Sequence, residues 1–138
     1  MIGLDTNVLA RYYVEDAGDR ESQKQRLAAR RLIESGQPLM VCKTVLLELE
    51  WVLRGHYGLT PADVSAALSH LLGLGHVTVE DRAAVERALH HLGAGFDFAD
   101  ALHHASYAAC SRVASFDDRR FARRALRLGL APAVDVPG

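Results

Sequence analysis

Short apolar runs alternate along the chain with longer stretches in which apolar residues recur every three or four positions. A run of three or four apolar residues suits a buried strand, and the 3.6-residue recurrence suits a helix with one inward side. Strands are expected at Ile2 to Leu4, Leu39 to Cys42, His76 to Val79, Arg112 to Ser115 and Ala133 to Val136. Helices are expected between them, at 6–14, 20–35, 44–56, 61–73, 81–93, 98–109 and 118–128. Such alternation predicts an α/β architecture built on a parallel sheet.

Several boundaries have local causes. Gly36-Gln37-Pro38 stops the second helix, because proline cannot continue it and biases Gln37 away from helical geometry. Thr60-Pro61 reads as an N-cap followed by proline at the first helical position. Asp97, with Asp100 three residues on, reads as a helix start with acids near the positive end of the macrodipole. Gly129 marks a C-terminal stop. With no repeat, low-complexity tract or Pro/Gly-rich linker, residues 1–138 are expected to form one domain.

Composition agrees, at 49% hydrophobic and 24% charged residues. No apolar run approaches the ~20 residues of a membrane span. An aspartate at position 5 breaks any charged-then-apolar leader, so a cytoplasmic location is expected. Cys42 and Cys110 lack zinc or CxxC spacing and read as reduced core residues. The net charge of -1 argues for no polyanionic partner, but a near-neutral chain can still carry a basic face. Six arginines lie between Arg112 and Arg127, opposed there by Asp117 and Asp118.

The acids are the chemistry-bearing residues. Asp5 follows the first strand, Asp117 the fourth, Glu48 lies one turn into the helix after the second, and Asp100 opens another helix. In open α/β sheets the ligand crevice lies at the carboxyl ends of the strands, so distant residues can meet there. Each acid also has a bland reading. Asp5, Asp97 and Asp117 or Asp118 are all suited to capping. Glu48 and Glu50 both interrupt a helix apolar around nearly its whole circumference, and phase does not say which faces a crevice. Asp100, His103 and His104 share helical spacing that can serve a transition metal, with His90 and His91 nearby, although surface or packing roles are commoner. Several carboxylates at one crevice repel unless they bind protons or a cation. Oxygen-only ligands with open positions suit Mg²⁺ or Mn²⁺ and phosphodiester hydrolysis.

Four segments, in order, resemble the motifs of PIN domains: Leu4-Asp5-Thr6-Asn7-Val8-Leu9, Val45 to Leu53 around Glu48, Asp97-Phe98-Ala99-Asp100-Ala101-Leu102-His103, and Ala114-Ser115-Phe116-Asp117. The likeness is greatest to VapC-type ribonuclease toxins of toxin–antitoxin pairs. It implies a three-layer α/β/α sandwich with a mostly parallel five-stranded sheet. It implies a catalytic, metal-holding set of Asp5, Glu48, Asp100 and Asp117, with Asp97 either an extra ligand or a helix cap. Thr6, Asn7 and Ser115 would support the site. The implied activity is Mg²⁺-dependent hydrolysis of RNA, with a VapB-type antitoxin as partner and a homodimer as assembly. A PIN nuclease of RNA processing without a toxin role, and a non-catalytic binding scaffold, are the alternatives.

Arg119, Arg120, Arg123 and Arg124, with Arg127 one turn on, form a basic stripe beside Asp117. It reads either as a solvated helix face or as a surface that positions RNA phosphates. Arg11, Arg30 and Arg31 are further candidates for RNA contact.

Overall fold

In the second strand, Leu39 and Val41 are buried while Met40 between them is partly exposed, the period-two signature of a strand with one inward face. This computed structural model describes residues 1–15 and 18–138. It comprises two compact units, Met1–Arg82 and Ala83–Gly138.

The first unit runs β1 (Ile2–Gly3), α1 (Thr6–Tyr13), α2 (Arg20–Ile33), β2 (Leu39–Val41), α3 (Lys43–Trp51), α4 (Pro61–Leu72) and β3 (Val77–Val79). β2 lies between β1 and β3, parallel to both. Helix starts follow the local rules. Asp19 accepts the Ser22 N–H at 2.9 Å to begin α2, and Thr60 accepts the Asp63 N–H at 3.2 Å to begin α4 with Pro61 behind it. Each such cap contributes about 1 kcal/mol. α3 lacks a side-chain cap from Cys42; Glu80, just past β3, reaches the Lys43 N–H at 2.8 Å instead. After Trp51 the helix loosens into a π-helical turn over Val52–His56, closed by the Tyr57 N–H on the Val52 carbonyl. Leu9, Ile33, Leu39, Leu46, Leu49, Leu53 and Leu71 are fully buried in this unit.

α5 (Arg82–Gly93) starts at the boundary, and the second unit continues with α6 (Phe98–Ser106), β4 (Arg112–Ala114), α7 (Arg123–Arg127) and β5 (Ala133–Asp135). A π-helical turn over Asp118–Ala122 leads into α7. β4 and β5 pair in parallel. Phe96 and Phe121 meet edge to face at 5.9 Å, and buried His104 shares a 2.7 Å hydrogen bond with the Pro132 carbonyl oxygen. Gly129 holds φ +66°, which a side chain would resist, where the helix ends.

The strands fall within one residue of the expected positions, but not in one five-stranded sheet: three form one sheet and two form another. β1 is two residues long, and the ladder bonds of Ile2 and Leu4 go to Pro38, just before β2, and to Met40 within it. Strands this short offer only a bond or two per edge, so apolar patterning locates them without fixing how many join. The cysteines also differ from expectation. Cys110 is exposed and Cys42 only half-buried, because each falls between elements, Cys110 in the turn from α6 to β4 and Cys42 between β2 and α3, rather than on an inward face. Trp51 is exposed as well, its ring lying over Gly55, where an added Cβ would sit 3.7 Å away. Among the described residues no helix is long and apolar enough to cross a membrane.

Candidate metal-binding acidic site

Asp5 sits at the junction of β1 and α1, in extended backbone geometry, and its Oδ1 accepts the Thr6 N–H at 2.8 Å. Its side chain is otherwise exposed. Thr6 thus supports Asp5 through its backbone; the buried Thr6 hydroxyl has no hydrogen-bond partner among the described residues. Glu48 projects from α3 into the same cavity as Asp5, a space of about 340 Å³ whose wall also includes Asn7, Arg11, Gln25 and Tyr57. Glu48 is exposed and carries no ion pair among the described residues. Glu50 goes the other way. It is buried and accepts from Arg54 Nε at 2.8 Å, one turn further along. The structure therefore separates two glutamates whose helical phase left them equivalent.

In the second unit Asp97 is the N-cap of α6, its Oδ1 accepting the Asp100 N–H at 3.1 Å. Asp117 caps the turn before α7, its Oδ1 accepting the Arg120 N–H at 2.9 Å. Ser115 supports Asp117 from behind, its hydroxyl oxygen accepting the Asp117 N–H at 3.1 Å. Asp100 is half-buried between these caps. Burial pushes its carboxyl above the usual range, and the charges of Asp97 and Asp117 push it further, against smaller opposing effects of His103 and Arg124. Capping and clustering coexist here: the same side chains start the helices and crowd negative charge around Asp100.

The histidines do not complete a transition-metal box. His104 is turned into the core toward Pro132, while His103 is exposed. His91 is held below its usual range by burial and then by neighbouring His90, which favours the neutral ring. Among the described residues no three His, Cys, Asp or Glu side chains form a group arranged to hold a metal ion. The donor chemistry nonetheless fits a hard divalent cation. Asp5 and Glu48 share a cavity wall in one unit, and Asp97, Asp100 and Asp117 interact electrostatically in the other. A raised carboxyl beside two more is the state a cation relieves.

The arginine stripe is less uniform than its spacing suggests. Arg123 pairs with Asp118 at 2.8 Å, and Arg124 donates to the Gly95 carbonyl at 3.2 Å. Arg119 and Arg120 are exposed, without ion pairs among the described residues. Sequence reasoning did not single out Gln25 or Tyr57 for the Asp5–Glu48 cavity. A polar residue on a polar helix carries no signal of its own, and Tyr57 gains its place from the π-helical turn that precedes it.

The model of the family described as PIN domain matches residues 2–126 of the chain. No curated protein matches it.

Proposed function

From the premise that the chain belongs to the PIN-domain family, whose members are generally metal-dependent nucleases, we propose that it is a Mg²⁺-dependent endoribonuclease. Asp5, Glu48, Asp100 and Asp117 are its ligand set, and Mn²⁺ is a workable substitute. The observation that carries this reading is the placing of Asp5 and Glu48 on one cavity wall, with Glu48 carrying no ion pair among the described residues. A solvent-facing pair of carboxylates on one wall is suited to a metal ion. When bound, the metal supplies an acidified water as nucleophile and stabilises charge on the phosphodiester.

The chain's own residues do the positioning. The Thr6 N–H fixes one rotamer of Asp5, and Ser115 fixes the turn that presents Asp117. Asp97 holds the start of α6 so that Asp100 stands in its first turn. Arg119 and Arg120 supply the cationic surface for RNA phosphates. We further take residues 1–138 as one nuclease domain, because the family match runs across both compact units.

The VapC likeness of the motifs supports a finer reading: the toxin of a toxin–antitoxin pair, cytoplasmic, homodimeric and silenced by a VapB-type partner. The test is cleavage mapping of total RNA after brief induction of wild type and Asp5→Asn. Discrete cuts by the wild type alone are expected. Equal cleavage by both proteins would refute the metal-site assignment. A second experiment, calorimetry with Mg²⁺ and Mn²⁺, should show binding that Asp5→Asn abolishes.

A further inference from the structure

The cavity that holds Asp5 and Glu48 is larger than a metal ion needs. At about 340 Å³ it has room for roughly ten waters at ~30 Å³ each. Carboxylates alone would repel an RNA strand there, yet the wall also carries the guanidinium-bearing Arg11, in the last turn of α1. Arg11 is not loosely placed. Its Nε donates to Gln25 Oε1 at 3.1 Å, and the Gln25 amide is itself fixed because Nε2 donates to Glu21 Oε1 at 3.3 Å. This relay across α1 and α2 sets the plane of the guanidinium fork. A second cavity of about 270 Å³ shares Asn7, Arg11 and Gln25 with the first, and its floor is apolar, of Val8, Ala28 and Leu32. Arg11 therefore stands on the wall between an acidic chamber and an apolar one. Asp19, whose carboxyl is held low mainly by the Ser22 N–H, also feels the Arg11 charge.

Resting on the reading of the acidic chamber as the nuclease site, we propose that Arg11 grips the RNA phosphate next to the one cleaved, with Gln25 as its positioning residue. The strand passes over Arg11 from the acidic chamber to the apolar one. A planar guanidinium oriented through its Nε suits a phosphate better than a lysine ammonium does.

The experiment uses the full chain and a single-stranded RNA oligonucleotide, followed by fluorescence anisotropy in Ca²⁺ across a salt series and by cleavage kinetics in Mg²⁺. Arg11→Ala should weaken RNA binding roughly tenfold, raise KM more than it lowers kcat, and flatten the slope of log K against log salt by about 0.7, the value of one single-strand phosphate contact. Arg11→Lys should keep the slope while losing part of the affinity. Gln25→Ala should lose less affinity, also at unchanged slope. Mg²⁺ affinity should be the same in all of them. An unchanged slope in Arg11→Ala overturns the proposal, as does a changed base preference at constant slope, which would make Arg11 a base reader. Lost Mg²⁺ affinity overturns it too, by giving Arg11 a structural role. If the wild type binds with an Arg11-dependent slope but cleaves nothing, the nuclease reading fails while the phosphate grip stands.

Discussion

Asp97 caps the helix whose first turn carries Asp100, its Oδ1 3.1 Å from the Asp100 nitrogen. One carboxylate thus holds the other's backbone in place, while burial raises the Asp100 pKa and the Asp97 charge adds to that. The folded state consequently binds the Asp100 proton more tightly than the unfolded chain does. That stabilisation is fully present below the unfolded value of about 3.9 and is lost as pH rises through the raised folded value. At neutral pH the metal-free protein therefore carries an unfavourable charge at Asp100. Asp100→Asn should raise its Tm by on the order of 2 °C near pH 7. The gain should vanish at low pH and in saturating Mg²⁺. Calorimetric melting across pH checks this; a lower Tm at neutral pH would contradict it.

Glu48 and Glu50 should respond in opposite ways. Glu50→Gln breaks the 2.8 Å ion pair with Arg54 at a buried carboxylate, at a cost of about 1–2 kcal/mol in stability. It should leave kcat within a few-fold. Glu48→Gln touches no described partner, so its stability should stay within ~0.5 kcal/mol of wild type. Its cleavage rate should fall at least ~100-fold, in keeping with loss of a catalytic electrostatic group. Urea unfolding and single-turnover cleavage on both variants separate the roles, and a stable, fully active Glu48→Gln would remove Glu48 from the ligand set.

The division of labour between these glutamates shows where the sequence was legible. Strand and helix positions follow from apolar spacing and caps, both local, so Thr60, Asp97 and Gly129 do what their neighbours dictate. Glu48 and Glu50 could not be told apart, because the helix around them is apolar on almost every side. Only the packing of α3 decides which one is buried. The grouping of strands into two sheets was likewise illegible, since pairing depends on edges that composition does not describe. Cys110 was misread for a similar reason: a cysteine's burial depends on where its element stops, and α6 stops at Ser106.

Asp117 has two roles that one pair of substitutions can divide. Asparagine caps helices about as well as aspartate but carries no charge. Asp117→Asn should therefore melt within about 1 °C of wild type and still lose most nuclease activity. Asp117→Ala should lose the same activity and a further ~1 kcal/mol of stability, through the Arg120 N–H left without its 2.9 Å acceptor. Thermal melts paired with cleavage assays give the result. An active Asp117→Asn would mean that Asp117 only caps.

Within the arginine stripe, Arg119 and Arg120 are the positions to reverse. Arg123 and Arg124 are engaged with Asp118 and Gly95, so charge reversal there would disturb the fold as well as any RNA contact. Arg119→Glu with Arg120→Glu should weaken RNA binding about tenfold or more at low salt, an effect fading toward high salt as screening grows. Mg²⁺ affinity should not change. Anisotropy at two ionic strengths checks it, and equal RNA affinity at low salt would assign the stripe to solvent.

The Thr6 hydroxyl gives the sharpest test of what the site is for. It is buried, with no hydrogen-bond partner among the described residues, a condition that costs ~1–3 kcal/mol of desolvation. Valine has the same shape without that hydroxyl, so for a purely structural residue Thr6→Val should be neutral or stabilising. The backbone bond from the Thr6 nitrogen to Asp5 would survive the change. If the hydroxyl instead serves the metal or its bound water, Thr6→Val should keep or raise Tm while cleavage falls roughly 10–100-fold, the usual effect of losing a partner just outside the ligand shell. Retained stability with reduced turnover is the expected outcome. Retained stability with full activity would make Thr6 a packing residue that happens to follow Asp5.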